Sequence, residues 1–301
     1  MITERKFDQE SHLWIDVQSE NRDKLRFLYK SYGIDSEVID YSLDKHERAR
    51  LEYDGLTNTL IIIFNVPNQK KINNHYETIP MTFIVKDTIL MTITNTKNAY
   101  VSKAMENYLK KFPDLSLYKF LFNTLFSCTD FFFPYIEEMD DDRVKVDHKL
   151  KSKTSKQNLL LLSDLEIGIV YFVSAAKQNM VLLEQIRAHS VYKAMNDTEK
   201  EQLDDVLIEA KQLVEMTQLS AQILQQLSGA YNNILNNSLN ETMQVLTVLS
   251  VLLTIPTIIS GFFGMNMPLP LENNPMGWII TVVVTALLWF LLSKVLQKWM
   301  R

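Results

Sequence analysis

The end of the chain contains two long uncharged stretches that follow each other closely. No Asp, Glu, Lys or Arg lies between Glu241 and Glu272, and none lies between Glu272 and Lys294. A helix of about 20 apolar residues crosses the hydrocarbon core of a bilayer, so both stretches are long enough to span a membrane. They predict a transmembrane hairpin of three parts: a first span over residues 241–264, an outer loop over 265–276 and a second span over 277–297.

The charge pattern predicts which side of the membrane the rest of the chain occupies. The net charge is −5, and the acidic excess lies before the hairpin; an acidic domain disfavours nucleic acid as a partner. Met1–Glu10 lacks an apolar core, so we expect no signal peptide and a cytoplasmic N-terminal part. The basic tail, residues 298–301, predicts a cytoplasmic C-terminus. The expected location is the cell (inner) membrane, crossed an even number of times.

The first hundred residues alternate short β-type runs with helical ones. The runs are rich in Ile, Val, Thr and Phe and are bounded by polar residues or proline. They predict strands at His12–Val17, Thr57–Val66, Ile79–Val85 and Thr88–Thr94, with helices at Asn21–Tyr32 and Tyr100–Lys111. We therefore expect a cytoplasmic α/β domain over residues 1–112, with a mixed or antiparallel sheet.

The pattern becomes helical from about Leu115. Leu115–Lys151 and Ser155–His189 carry apolar residues at three- and four-residue spacing, which is typical of helices. Asn196 then supplies an N-cap, and the helical pattern continues from about Asp197 to Phe263. The sequence therefore predicts a helical layer and stalk over residues 113–240. The fold class is an α+β cytoplasmic domain with a long α-helical stalk and a two-helix transmembrane hairpin.

Polar side chains follow one face of the first span. Hydroxyl groups inside a bilayer usually face protein or water, because unpaired polar groups are costly there. On this observation alone two interpretations stay open, a packing seam between helices and the lining of a narrow pore without fixed charge. The residues follow one another at steps of three and four: Asn240, Met243, Thr247, Ser250, Thr254, Thr257 and Gly261.

The connection between the spans favours the pore. Gly264 can adopt the positive φ that suits a helix end, and Pro268 prevents the helix from continuing. In a symmetric oligomer, the Asn266 amides would form a ring of carbonyl oxygens at the pore rim. Mg²⁺ usually keeps several of its waters, and amide and hydroxyl oxygens can accept hydrogen bonds from them. The sequence thus predicts a membrane channel for divalent cations, with hydrated Mg²⁺ favoured.

The chain resembles the CorA family of magnesium channels. The resemblance rests on Gly264-Met265-Asn266 between two C-terminal spans, and on the order of domain, stalk and hairpin. It implies a homopentamer in which the first span lines the pore and Gly264, Met265 and Asn266 form the selectivity element. Thr254 departs from a methionine of some relatives, so Leu246 or Met243 would form the constriction. The implied lining positions are Asn240, Met243, Leu246, Thr257 and Gly261.

The resemblance also implies a site that senses cytoplasmic Mg²⁺ between protomers. Asp204 and Asp205 are the stalk candidates, although a solvated helix face explains them equally well. The acidic run Glu137–Asp142 is interpreted mainly as solvated surface. Glu272 would attract cations to the outer loop by its field, or else be an idle loop residue. We expect no cofactor, with Mg²⁺ acting only as the transported ion and as a candidate regulatory ligand.

Two alternatives remain from the sequence. The first is a Zn²⁺, Co²⁺ or Ni²⁺ transporter on the same scaffold, although the polar face has no His or Cys to favour softer ions. The second is a membrane-anchored stalk protein that conducts nothing, which should tolerate Asn266→Ala and Gly264→Ala. The sequence has no P-loop, nucleophile elbow or paired catalytic carboxylates. We therefore expect no enzyme, and ion movement down the electrochemical gradient.

Overall fold

The chain forms two compact units. The computed structural model describes residues 1–152, 155–265 and 275–299. The first unit is Met1–Gly229 and the second is Ala230–Arg301. The finer division of the sequence into domains stays a prediction.

The described elements include both strands and helices up to residue 111, and those that follow are helices. In chain order they are β1 (Ile2–Phe7), β2 (His12–Gln18), α1 (Arg22–Tyr32), α2 (Ser36–Leu43), β3 (Arg50–Asp54), β4 (Thr59–Pro67), β5 (Thr78–Lys86), β6 (Ile89–Thr94), α3 (Ala99–Lys111), α4 (Leu117–Asp130), α5 (Phe133–Ser152), α6 (Lys156–Ala188), α7 (Ser190–Ala194), α8 (Asp197–Phe263) and α9 (Gly277–Trp299).

The strands form one mixed sheet, which is one of the two arrangements that the sequence left open. Their order is β1-β2-β6-β5-β4-β3. The β2–β6 pair is parallel, and the other four pairs are antiparallel. The sequence did not predict β1 and β3, and these are the two edge strands. Both carry several charged residues, which suit a sheet edge but weaken the apolar signal by which strands are recognised.

Helices cover both faces of this sheet. On one face, α1 and α2 bury Leu25, Leu28 and Val38 against the sheet. On the other face lies a larger core that includes α3, α4, α6 and the first part of α8. Strand β4 contributes to both cores, since Ile61 belongs to the first and Ile62 to the second. The continuous apolar run of β4 therefore reflects burial on both sides.

Some helix predictions need correction. The sequence predicted one helical segment over Leu115–Lys151, whereas the structure has α4 and α5 with a break at Phe131 and Phe132. Pro134 lies in the first turn of α5, where a proline costs no helical hydrogen bond. The short helices α2 and α7 were not predicted.

The long helix α8 confirms the prediction from Asp197 to Phe263. At its start, the N–H of Glu199 donates to Oδ1 of Asn196 at 3.0 Å, and the N–H of Asn196 donates to Oε2 of Glu199 at 2.9 Å. This reciprocal pair satisfies backbone donors that a helix start leaves free. Pro256 lies inside the helix without ending it.

Cys128 was predicted to be a packed thiol, and the structure confirms this. Its side chain is fully buried in the larger core. Burial raises the pKa of the thiol, because a thiolate is costly to desolvate. Cys128 is therefore a core residue and not a reactive one.

Candidate ion pathway

In the second unit, one face of α8 borders α9. Leu252 is buried, and Val248, Ile255 and Ile259 are half-buried. A cleft between the two helices includes Pro256, Ile259 and Ser260 of α8. From α9 the cleft is lined by Thr281, Val282, Thr285, Ala286, Trp289 and Phe290. The intrachain contact surface of α8 is therefore mainly apolar.

The predicted polar stripe lies on a different face of α8. Each residue advances about 100° around a helix of 3.6 residues per turn, which puts the stripe roughly opposite the cleft face. None of its members lines the cleft, so the stripe is not a packing seam between α8 and α9. All eight predicted pore positions are exposed within the chain: Asn240, Met243, Leu246, Thr247, Ser250, Thr254, Thr257 and Gly261.

The stripe hydroxyls bond to their own helix. Thr254 donates to the Ser250 carbonyl at 2.9 Å, and Thr257 donates to the Leu253 carbonyl at 2.8 Å. Thr247 and Ser250 likewise donate to the carbonyl oxygens four residues earlier, each at 2.8 Å. A hydroxyl has one donor hydrogen and two acceptor lone pairs. Because each hydroxyl hydrogen is donated within the helix, each hydroxyl oxygen can still accept hydrogen bonds from groups that lie beside this face.

The end of α8 corrects one prediction. The sequence predicted a positive φ at Gly264, but Gly33 is the glycine with positive φ among the described residues, and Gly264 does not share that conformation. A Cβ at Gly264 would instead lie 3.1 Å from the Ser260 carbonyl oxygen. Here the lack of a side chain allows close backbone approach. Asn266 and Glu272 lie outside the described residues, and their assignments stay predictions.

The length and composition of α8 and α9 suit a membrane. Within the described residues, three helices are long and apolar enough to cross one: Lys156–Ala188, Asp197–Phe263 and Gly277–Leu296. The most apolar stretches of the last two are 6% and 0% buried within the chain. The first, α6, contributes Leu182, Leu183 and Ile186 to the core of the first unit. Its apolar character therefore reflects packing there.

The candidate regulatory acids lie on the first part of α8. Asp204 faces Arg187 of α6, with Oδ1 3.5 Å from the guanidinium Nη2, and Asp205 is exposed. Among the residues that the structure describes, no group of three His, Cys, Asp or Glu side chains could hold a metal ion. Within one chain, these two carboxylates do not form a complete metal site.

The acidic run on α5 is largely engaged in ion pairs. Lys71 lies 2.9 Å from Glu138 and 3.0 Å from Asp142, and Arg143 lies 3.0 Å from Asp140. Hydrogen bonds from Tyr76 and Lys71 hold the pKa of Glu138 below its ordinary value. These contacts explain the run as a charged surface network.

Sequence reasoning missed the hydroxyls in the cleft. Thr281 and Thr285 lie one turn apart on α9, and both donate to carbonyl oxygens four residues earlier, at 3.0 and 2.7 Å. Their i, i+4 spacing in an otherwise apolar span is the signal that could have identified a second polar face.

Comparison with known proteins identifies the family. Residues 9–298 match the family model described as CorA-like Mg²⁺ transporter protein. The cobalt/magnesium transport protein CorA of Methanocaldococcus jannaschii is 22% identical over 293 residues, covering 95% of this chain and 90% of that protein.

Solved structures agree in fold with this chain. The complete CorA magnesium transporter of Methanocaldococcus jannaschii superposes with a TM-score of 0.79 at 21% identity, covering 97% of this chain and 92% of that one. The full-length CmaX protein gives 0.72 at 13% identity, with 95% and 88% coverage. The family match spans nearly the whole sequence, and the same order of sheet, long helix and terminal helix recurs. The chain therefore belongs to the family of CorA-like Mg²⁺ transporters.

Proposed function

We propose that copies of this chain assemble into a membrane pore that admits hydrated Mg²⁺ down its electrochemical gradient. In this proposal α8 lines the pore, α9 packs outside it, and both chain ends are cytoplasmic. The assembly is a homo-oligomer, with five copies as the proposed number. Gly264, Met265 and Asn266 form the selectivity element at the outer mouth.

The proposal is carried by the polar stripe of α8. Its hydroxyl hydrogens are donated to the helix backbone, so the face offers oxygen acceptors and no fixed charge. The waters around Mg²⁺ are hydrogen-bond donors toward their surroundings. Such a face can hold the hydrated ion by accepting from its waters, and it releases the ion readily because no carboxylate binds it directly.

The cytoplasmic end of the stripe supplies an apolar constriction. Met243 and Leu246 are 57% and 63% exposed within the chain. In a ring of copies they would narrow the pore with apolar side chains, and hydrophobic constrictions can gate by losing water. The driving force is the membrane potential, about 2.3 kcal/mol per charge per 100 mV. A divalent ion gains about twice that amount.

We expect Thr254→Val and Thr257→Val together to lower Mg²⁺ influx into proteoliposomes by roughly tenfold. Each substitution keeps the side-chain shape and removes one acceptor per copy, and a net hydrogen bond contributes about 0.5–1.5 kcal/mol. The measurement is the initial influx rate from a Mg²⁺-sensitive dye inside the vesicles, at matched protein content.

The matched control is Thr281→Val with Thr285→Val. These hydroxyls make the same internal hydrogen bonds as the stripe, but they line the cleft between α8 and α9. The control should conduct at nearly the unaltered rate. An equal loss in both pairs would contradict a pore on the stripe face, and unchanged influx in the stripe pair would do so as well.

A second proposal concerns regulation by cytoplasmic Mg²⁺. We propose that Asp204 and Asp205 bind the ion together with acidic residues of a neighbouring copy, because one chain does not complete a site. Replacing both with Asn should leave influx at low internal Mg²⁺ unchanged and should raise the internal concentration that halves influx several-fold. Patch recordings with stepped bath Mg²⁺ measure this. An unaltered half-inhibition concentration would contradict the assignment.

Cobalt is the alternative ion with the most specific support. The relative from Methanocaldococcus jannaschii is named as a cobalt/magnesium transport protein. Co²⁺ influx measured beside Mg²⁺ influx in the same vesicles decides the rank order. A Co²⁺ rate well above the Mg²⁺ rate at equal concentration would replace Mg²⁺ as the favoured substrate.

A further inference from the structure

The turn between α5 and α6 carries a run of positive charge. Residues 148–163 contain four lysines and no Asp or Glu, whereas the chain as a whole has a net charge of −5. Since those lysines contribute +4, the rest of the chain carries −9. The run therefore opposes the charge of the protein that contains it. The four residues are Lys149, Lys151, Lys153 and Lys156.

Chain geometry brings these lysines to the tip of one helical hairpin. Helices α5 and α6 pack against each other and are joined by a connection of three residues. Lys149 and Lys151 lie in the last turn of α5, Lys156 is the first residue of α6, and all three are exposed. Lys153 lies outside the described residues. Lys151 is 2.6 Å from Asp147, whereas Lys149 and Lys156 make no ion pair within the described part of the chain.

The stability of the two helices does not account for Lys156. Lysines in the last turn of α5 complement the negative end of that helix dipole. Lys156 instead occupies the positive end of α6, and no acid lies in the first turn of that helix. A helix N-terminus favours anions, so a lysine there is unfavourable for the helix itself. Both the lysines and the start of α6 therefore favour a negative group at the tip.

An exposed apolar face continues from the tip along α6. Leu160 lies one turn after Lys156 on the same side of the helix, and it is 55% exposed. Ile167, two turns further on that side, is 41% exposed, whereas Leu162 and Leu165 on the opposite side are buried. Lysines beside exposed apolar side chains are typical of segments that lie at a membrane surface.

The acids near the tip do not cancel its charge. Asp147 and Asp164 flank the run, and residues 147–164 together still carry +2. The acidic run Glu137–Asp142 ends about 10 Å from Lys149 along α5, at 1.5 Å per residue. Exposed charges are screened beyond about 8 Å at physiological ionic strength. A surface that approaches the tip therefore meets positive charge.

The tip stands clear of the sheet. The backbone of Gly168 lies against Tyr76 in the connection between β4 and β5, where an added Cβ would be 3.3 Å from the Tyr76 nitrogen. From Gly168 back to Lys156, α6 is about 18 Å long. The end of the hairpin therefore extends past this connection and is accessible to a large surface.

We propose that the tip of the α5–α6 hairpin docks on the anionic lipid headgroups of the membrane that holds this chain. The lysines contact the lipid phosphates, and Leu160 enters the boundary between headgroups and acyl chains. Polybasic segments are attracted to anionic leaflets in this way. The proposal rests on the membrane location of the family, and it does not depend on which ion the chain conducts.

The test uses the full-length protein in lipid nanodiscs of phosphatidylcholine, with or without phosphatidylglycerol. A donor dye is attached through Gln157→Cys, an exposed position beside Lys156, and an acceptor dye is carried by lipid headgroups. Cys128, the one cysteine of the sequence, is buried and stays unlabelled. We expect more energy transfer in the discs with phosphatidylglycerol. High NaCl should abolish this difference, because salt screens exposed charges.

Lys149→Gln with Lys156→Gln should lower the ratio of docked to undocked tips at least tenfold in the anionic discs. Each lysine near an anionic surface contributes about fivefold. The matched control is Lys24→Gln with Lys103→Gln, which removes two exposed lysines from α1 and α3. It should keep the energy transfer of the labelled parent. Size-exclusion chromatography checks that every variant keeps the same oligomer.

Equal energy transfer in the two lipid compositions would overturn the proposal. So would a dependence on phosphatidylglycerol that the tip pair leaves unchanged, or one that both lysine pairs reduce equally. Transfer that responds to salt and not to phosphatidylglycerol would assign the tip to acidic residues of a neighbouring copy instead. Ion flux is not part of the measurement, so its outcome is separate from that of the proposed pore.

Discussion

Mg²⁺ influx through Asn266→Ala should fall more than tenfold below that of the unaltered protein, in proteoliposomes with an internal indicator dye. In the proposed pore, the substitution removes one amide oxygen per copy from the outer mouth. A net hydrogen bond contributes about 0.5–1.5 kcal/mol, and 1.4 kcal/mol corresponds to about tenfold in rate. The loss of several hydrogen bonds to the waters around one ion should therefore lower the influx rate by more than tenfold.

The control for this prediction is Asn274→Ala, the same change within the predicted outer loop. Its influx should stay within about twofold of the unaltered rate, and both variants should give the same oligomer by size-exclusion chromatography. Undiminished influx in Asn266→Ala would remove the tripeptide from the selectivity element. A loss in both variants would indicate a general disturbance of the loop.

The second large effect concerns the stability of the first unit, through Asn179 of α6. Strand β3 pairs with β4 only as far as Ile63, and beyond that point Asn65 of β4 turns its backbone toward α6. The Asn65 N–H donates to Oδ1 of Asn179 at 2.9 Å, and Nδ2 of Asn179 donates to the Asn65 carbonyl at 2.8 Å. The buried amide therefore replaces the missing strand.

Asn179→Leu should lower the free energy of unfolding by about 2–5 kcal/mol. The change leaves a buried backbone donor and acceptor unpaired, at about 1–3 kcal/mol each. For a unit of this size the midpoint of thermal unfolding should fall by roughly 4–20 °C. Circular dichroism of the detergent-solubilised protein measures this shift.

Gln185→Leu is the matched control for Asn179→Leu. It makes the same kind of substitution on the same helix, at an exposed position. Its melting midpoint should move by no more than about 2 °C, since exposed substitutions usually change stability by less than about 0.5 kcal/mol. Equal midpoints for both variants would show that the bonds of Asn179 to Asn65 contribute little.

The sequence predicted the elements that carry strong periodic signals. The long helix from Asp197 to Phe263 is continuous, because the apolar spacing and the Asn196 cap agree with each other. The central strands were found because they are buried on both faces. The edge strands β1 and β3 were missed, since an edge exposes charged residues and so loses the alternation that predicts a strand.

The candidate ion pathway was likewise predicted only in part. Residue spacing alone predicted that the stripe from Asn240 to Gly261 lies on one face of α8, because helical geometry fixes which residues share a face. The sequence could not decide whether that face meets α9. The structure decides it, since the cleft residues Pro256 and Ile259 lie on the other side of the helix.

By itself, the sequence determined the long helix, the polar stripe and the family, and it predicted the membrane hairpin. All of these depend on local periodicity, on charge or on a short motif. Only the tertiary structure decided which partners distant residues acquire. It joins Asn179 to Asn65 and Arg187 to Asp204. Such contacts follow from the packing of whole elements, which no short stretch of sequence encodes.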